Sequence, residues 1–91
     1  MSLRTDQLIQ IHSGYRLQWE EAQQIFVLLY PEGLIELNQS SAEILQLCDG
    51  QHKLADIIQT LESKFSTTGL ENDIINFLTI ALDNGWITQH A

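Results

Sequence analysis

The chain has very few basic residues. Only four of its 91 residues are lysine or arginine, against twelve aspartates and glutamates, and its formal net charge is −8. Proteins that bind nucleic acid neutralise phosphates with clustered lysine and arginine side chains. Here the basic residues are spread along the chain, at Arg4, Arg16, Lys53 and Lys64. We therefore expect no nucleic acid among the partners of this protein.

Cysteine and long apolar runs are also scarce. A single cysteine, Cys48, excludes an intramolecular disulfide and favours a reducing, cytoplasmic setting. No apolar run approaches the ~18 residues that a membrane helix needs, and the N-terminal residues lack the apolar region of a secretory signal. We expect a protein without a membrane partner, folded as one small domain around one core.

The residue patterns that carry catalysis are missing as well. The three histidines, His12, His52 and His90, lie far apart and show no metal-site spacing. The five glycines each fall at a predicted turn or helix end, so none forms a phosphate-binding loop. Cys48 lies on the apolar side of a predicted helix with no basic neighbour, which favours a buried core residue. With no catalytic residues, no metal site and no cofactor motif, the pattern indicates a binding module and not an enzyme.

Three segments of the first half predict strands. Residues 15–20 alternate apolar and polar side chains, the period of two that is typical of a half-buried strand. Residues 25–30 are rich in β-branched and aromatic residues. The turn signal at residues 31–33, Pro-Glu-Gly, leads into a shorter strand at 34–37. We expect an antiparallel meander whose third strand has a free edge.

Three helices are predicted to follow. The first starts at Ser40, where Ser40 and Glu43 match a capping box, and stops at residues 49–50. The second starts between residues 52 and 54 and has a clean amphipathic pattern up to residue 65. A second capping-box pattern at 68–71 opens the third, which runs to Asn84 and ends at Gly85 before an extended tail. The fold class is therefore α+β, a three-stranded antiparallel sheet followed by three helices.

The two ends of the chain differ in pattern. Residues 1–14 show little periodicity, and we interpret them as a loose N-terminal arm with at most a short ordered piece. Residues 15–91 form the single domain. Within it, the third helix is unusually apolar, because its apolar side chains span an arc of about 160° where a one-sided helix needs somewhat over 100°. Either this helix packs on both the sheet and the other helices, or part of the arc lines a groove for a partner, and the two are compatible.

Several short motifs resemble the PqqD family of pyrroloquinoline quinone (PQQ) biosynthesis. The segments RLQWEEAQQ at 16–24, LLYPEG at 28–33 and Leu-Asn at 37–38 resemble the first half of that family. The segments EILxLCDG at 43–50, Ile-Ile at 57–58 and GWI at 85–87 resemble its second half. The resemblance covers roughly residues 15–87, and the first fourteen residues have no part in it.

This resemblance implies a fold and a function. PqqD-like proteins are winged-helix-like domains of three strands followed by three helices, also called precursor-peptide recognition elements. The resemblance implies that the chain binds the ribosomal precursor peptide PqqA and presents it to the radical S-adenosylmethionine enzyme PqqE, with no cofactor and no chemistry of its own. In related recognition elements, the leader peptide adds as a strand to the third strand and lies against the third helix.

The resemblance also implies a set of peptide-binding residues. Those on the edge strand are Leu34, Ile35, Glu36 and Leu37, and those on the third helix are Ile74, Ile75, Leu78 and Leu82. The Glu36 carboxylate either pairs with a basic residue of the peptide or only keeps the edge soluble. Weaker candidates for contact with the enzyme are Arg16, Trp19 and Glu20, although the alternation of the first strand favours a core position for Trp19.

Two other functions stay open at this stage. A small sheet with three helices also suits a winged-helix protein that binds nucleic acid, which the net charge opposes. A free strand edge also suits a self-associating domain that pairs with its own copy as a homodimer.

Overall fold

Six strands and three helices make up the protein in the computed structural model, which describes residues 2–91. The elements are β1 (Leu8–Ile11), β2 (Arg16–Glu20), β3 (Ile25–Tyr30), β4 (Gly33–Glu36), α1 (Gln39–Gln46), β5 (Asp49–His52), α2 (Leu54–Lys64), α3 (Glu71–Asp83) and β6 (Ile87–His90). The strands form two antiparallel sheets, ordered β2-β3-β4 and β5-β1-β6. The predicted α+β class is confirmed. None of the helices in this range has the length and apolar content that crossing a bilayer requires.

The β2-β3-β4 sheet is the predicted meander. Pro31 and Glu32 form the turn between β3 and β4, since Tyr30 pairs directly with Gly33. Leu28 lies between Leu17 on β2 and Ile35 on β4, and its side chain is fully buried. Because successive residues of a strand point to opposite faces, this row defines the inner face of the sheet. The sheet and its edge strand lie where the turn signal predicts them.

The β5-β1-β6 sheet was not predicted. β1 is its central strand and pairs Ile9 with both His52 on β5 and Gln89 on β6. Ile9 has no exposed surface and belongs to the hydrophobic core. The interpretation of the N-terminal segment as a loose arm is therefore wrong for residues 8–11, which are a structural strand; Met1 of that arm lies outside the described residues.

The predicted start and end of the first helix are wrong. α1 begins at Gln39, and the Asn38 side chain caps it by accepting a hydrogen bond of 2.8 Å from the Ser41 N–H. Asparagine is among the best N-cap residues, and it precedes the serine that the capping-box pattern selects. The Glu43 carboxylate is 2.6 Å from the Lys64 ammonium of α2. The helix ends at Gln46, and Leu47 and Cys48 connect it to β5, which occupies the residues predicted to end the helix.

The second predicted capping box is also absent. The N-cap position of α3 is Leu70, which has no side-chain oxygen. Its N–H donates instead to the Glu62 carboxylate of α2, at 3.0 Å. The N-terminal side of α2 is better capped than its sequence suggests, since the Lys53 N–H donates to the Asp56 carboxylate at 2.9 Å. The start of α3 is thus satisfied by a side chain of the preceding helix, and the start of α2 by a side chain of its own first turn.

The end of α3 agrees with its prediction. Gly85 has a φ of +78°, and its N–H donates to the Leu82 carbonyl at 3.1 Å. The next N–H, of Trp86, donates to the Ala81 carbonyl at 2.8 Å. This pair of bonds is the Schellman motif, whose left-handed position favours glycine. It turns the chain into β6 and so places β6 beside β1.

Candidate peptide-binding edge

β4 is an edge strand. It pairs with β3 on one side, and no other described strand pairs with it on the other. The ends of an antiparallel sheet leave backbone N–H and C=O groups unpaired, which can template an added strand. β2, β5 and β6 are also edges of their sheets, so the free edge alone does not single out β4.

The alternation of backbone hydrogen bonds between β3 and β4 shows which N–H and C=O groups of β4 are not bonded to β3. The Leu37 N–H donates to the Phe26 carbonyl of β3 at 3.0 Å. In an antiparallel pair, the residues that face the partner alternate with residues that face away. Ile35 therefore bonds to β3 like Leu37, and the N–H and C=O groups of Leu34 and Glu36 point to the open side.

The side chains of β4 alternate in the same way. Leu34 is 49% exposed, and Glu36 is exposed as well. Ile35 is half-buried, packed against the core, and Leu37 just beyond the strand is buried. Of the four predicted residues, Leu34 and Glu36 combine free backbone groups with an accessible side chain.

The predicted residues of α3 lie mostly in the core. Ile74, Leu78 and Leu82 are 2%, 0% and 7% exposed. Ile75 is half-buried and is the only one of the four with appreciable surface. The broad apolar arc of α3 is thus explained largely by packing, and its exposed part has a different composition.

The exposed apolar part of α3 lies on one flank that the prediction missed. Ile80 is 53% exposed, and Phe77 is half-buried with its ring 6.4 Å from that of Trp86. Leu70 and Asp73 share this flank by helical spacing and line a groove of about 380 Å³ together with Gln39 and Ser40, which follow β4 in the chain. The sequence signal for this flank is Ile80, which widens the apolar arc beyond the core-facing residues.

Ile75 lies on the opposite flank. Glu71, one turn before it, lines a shallow groove with Ile58 and Glu62 of α2. Residues four apart on a helix share a face, so Ile75 is turned toward α2. The flank with Phe77 and Ile80 is the one that continues toward the segment after β4.

The candidate residues for enzyme contact lie on β2. Arg16 is exposed, and its guanidinium donates to the Gln18 side chain at 3.2 Å. Glu20 is half-buried. Trp19 is 42% exposed, so the prediction of a core position is wrong. Its ring packs on Phe26 with centroids 5.0 Å apart and an angle of 64° between the ring planes, and a cavity lies between these rings and α1.

The titratable groups at and just before β5 have structural roles. Burial, followed by the nearby charge of Asp49, raises the pKa of the Cys48 thiol to about 12. A thiol of this kind is not a nucleophile at neutral pH, in agreement with its predicted core position. His52 lies 2.9 Å from the Asp49 carboxylate on the same strand. Within residues 2–91, no cluster of histidine, cysteine and acidic residues could hold a metal ion.

Comparison with protein families matches residues 26–87 to the family described as Coenzyme PQQ synthesis protein D (PqqD). The chain is 53% identical over 89 residues to the PqqA binding protein of Methylococcus capsulatus strain Bath, which covers 98% of this chain and 96% of the relative.

Two solved structures are similar over nearly the whole length. The solution structure of the PqqD part of Methylobacterium extorquens PqqCD, a stand-alone recognition element, has a TM-score of 0.78 at 24% identity and covers 96% of this chain and 95% of that one. The crystal structure of PqqD from Xanthomonas campestris has a TM-score of 0.54 at 32% identity, covering 91% and 94%. At 24% identity the first similarity establishes the fold only.

Proposed function

This chain belongs to the PqqD family, and on that premise we propose that it binds the precursor peptide PqqA and presents it to the radical S-adenosylmethionine enzyme PqqE. Relatives named PqqA binding proteins support the peptide as the partner. We place this role in the cytoplasm. The chain acts by binding, without a cofactor and without catalysis of its own.

The observation that carries this proposal is the pair of outward-facing residues on β4. Leu34 and Glu36 each offer one N–H and one C=O group on the open side of the sheet. A peptide strand that adds there gains main-chain hydrogen bonds worth about 0.5–1.5 kcal/mol each. Such bonds provide affinity with little demand on the peptide sequence.

Selectivity then requires side-chain contacts from a second surface, which forms the wall of the peptide site opposite the β4 edge. We assign this wall to α3, as predicted, but to the flank that carries Phe77 and Ile80. This flank has apolar surface to offer, whereas Ile74, Leu78 and Leu82 are already covered by the core. Ile75 stays a predicted contact, on the flank turned toward α2.

The decisive experiment separates the backbone of β4 from its side chains. Glu36→Pro removes one outward N–H without removing a bond to β3, and Glu36→Ala keeps that N–H. We expect calorimetry with PqqA peptide to show about two- to tenfold weaker binding for Glu36→Pro, the loss expected for one main-chain hydrogen bond. Glu36→Ala should bind like the native chain if the carboxylate only keeps the edge soluble, and more weakly if it pairs with a basic residue of the peptide.

Circular dichroism of each variant controls for folding, since proline is tolerated on an edge strand. Native affinity in a folded Glu36→Pro protein would contradict addition at β4.

Two further variants locate the wall on α3. Ile80→Asp and Ile75→Asp place a carboxylate on opposite flanks of the same helix. We expect Ile80→Asp to weaken peptide binding tenfold or more, because a buried charge without a partner opposes apolar contact. Ile75→Asp should have the smaller effect on affinity. If Ile75→Asp weakens binding more than Ile80→Asp does, the wall lies on the flank with Ile75, the residue predicted from the sequence.

A second role for the same edge is self-association. The unpaired groups of β4 could pair with β4 of a second copy and form a homodimer. Light scattering over a concentration series measures the molar mass and so detects a dimer. Added peptide should dissociate a dimer that uses the same edge. A dimer that persists with saturating peptide would use another surface.

A further inference from the structure

A second groove lies on the other side of α1 from the peptide site. It is about 400 Å³ in volume and runs between the inner face of the β2-β3 hairpin and the first turns of α1. Its wall includes the rings of Trp19 and Phe26, and Leu37 and Ala42 supply buried apolar surface. Of the residues assigned to the peptide site, only Leu37 lines this groove.

Trp19 is held in one orientation although it is 42% exposed. Its indole N–H donates to the Glu21 carboxylate at 2.8 Å, and the Gln24 amide donates to the same carboxylate at 3.3 Å. Phe26 contacts the ring edge-on. An exposed tryptophan that is fixed before binding loses little entropy in a complex, and tryptophan is enriched among the residues that dominate interfaces.

The charge around Trp19 is negative and is not balanced locally. Glu20 and Glu21 are consecutive, and neither forms an ion pair among the salt bridges of residues 2–91. Lysine and arginine side chains bind the faces of tryptophan rings and pair with carboxylates, arginine more often than lysine. Trp19 in the wall of the groove and Glu21 beside it therefore complement a basic side chain, and the Phe26 ring complements an apolar one next to it.

The groove is also close to the peptide edge. Leu37 and Asn38, which line it, directly follow β4, and Gln39 and Glu43 of α1 line both this groove and the one that leads to α3. A protein seated here would be beside the end of a peptide strand added to β4. This position suits a partner that must act on the bound peptide.

We propose that this groove is the docking site of the peptide-modifying enzyme, which places an arginine or lysine on Trp19 and Glu21 and an apolar side chain against the half-buried ring of Phe26. The proposal rests on the function proposed above. It assigns the peptide and the enzyme to two adjacent but separate surfaces.

The test measures the affinity of the full chain for PqqE and for PqqA peptide separately. Trp19→Ala should weaken PqqE binding at least tenfold and leave peptide affinity within twofold of the native value. Trp19→Phe retains an aromatic face and should restore part of the loss. Glu21→Gln should weaken PqqE binding several-fold and reduce its salt dependence, whereas Glu71→Gln, which removes one charge at the far groove, should do neither.

The failures can be told apart. Native PqqE affinity in a folded Trp19→Ala protein would overturn the docking site and leave the proposed function intact. An equal loss of peptide affinity would also overturn it, because the groove would then belong to the peptide site. If the native chain binds the peptide but not PqqE, the presentation role fails, and the docking site fails with it.

Discussion

The two sheets of this protein are built in opposite ways. The β2-β3-β4 sheet joins neighbours in sequence and pairs Leu29 with Leu34 across a tight turn. The β5-β1-β6 sheet joins distant segments and pairs Leu8 with His90. The first sheet leaves an edge free beside the proposed peptide site, and the second ties the two ends of the chain to the core. Both sheets contribute to the core, but the proposed binding edge belongs to the sheet that is built from neighbouring segments.

The largest expected difference between the sheets is in stability. Ile9→Ala removes a fully buried side chain from β1 and should lower the free energy of unfolding by about 2–5 kcal/mol. Leu34→Ala on β4 removes a side chain that is 49% exposed and should cost less than about 1 kcal/mol. Urea denaturation of both variants checks this. Similar losses would mean that the edge strand β4 is packed as tightly at Leu34 as β1 is at Ile9.

A smaller difference is expected for two glutamines. The Gln89 side chain of β6 exchanges two hydrogen bonds with the Arg4 backbone, at 2.8 and 2.7 Å. Gln89→Ala should lower the free energy of unfolding by about 1 kcal/mol, the low end of the range expected for two hydrogen bonds, because both are exposed to solvent. It should also speed amide exchange at Arg4. Gln18→Ala on β2 removes one longer bond to Arg16 and serves as the matched control. If Gln18→Ala lowers the free energy of unfolding by the same amount, Gln89 does not specifically hold the N-terminal segment against β6.

The smallest expected effect is a pH dependence confined to β5. Burial opposes ionisation of Asp49, but hydrogen bonds from His52 and the Gln51 N–H outweigh it and lower its pKa. The pKa of Asp49 is thus lower in the folded protein than in the unfolded chain, where it is about 4. Its ionised form therefore stabilises the fold above that pH, and this stability is lost as the pH falls through the pKa of the folded state. The effect is small because this side chain is largely exposed to solvent. Asp49→Asn should therefore flatten the stability change between pH 6 and pH 3, and an unchanged slope would contradict this role.

The two sheets also differ in how far the sequence predicts them. The meander carries its own alternation and turn signal, so its strands and free edge could be predicted locally. β5 has the sequence Asp-Gly-Gln-His, which has low strand propensity and forms a strand because it pairs with β1. β1 is only four residues long, too short for a clear period. Pairing between distant segments overrode local preference in β5, and in β1 it fixed a short segment whose isoleucines already favour a strand.

The candidate site shows the same division. The strand that carries Leu34 and Glu36 could be predicted from its turn, whereas its role in peptide binding was implied by the resemblance to the PqqD family. The helix residues were chosen from an apolar arc, and an arc does not show which part is covered by the core. Only the packing of α2 against α3 distinguishes Ile75 from Ile80. Trp19 was predicted in the core for a related reason. The alternation along β2 predicts which face of the sheet the side chain points to, but it does not show whether a helix covers that part of the face.

The central claim is that a peptide adds to the open side of β4, and amide hydrogen exchange measured by NMR tests it most directly. In the free protein, the Leu34 and Glu36 amides should exchange rapidly while that of Ile35, which is bonded to β3, exchanges slowly. Saturating PqqA peptide should slow exchange at Leu34 and Glu36 and leave β1 and β6 unchanged. Exchange that stays rapid at both residues, with the peptide bound, would contradict the claim.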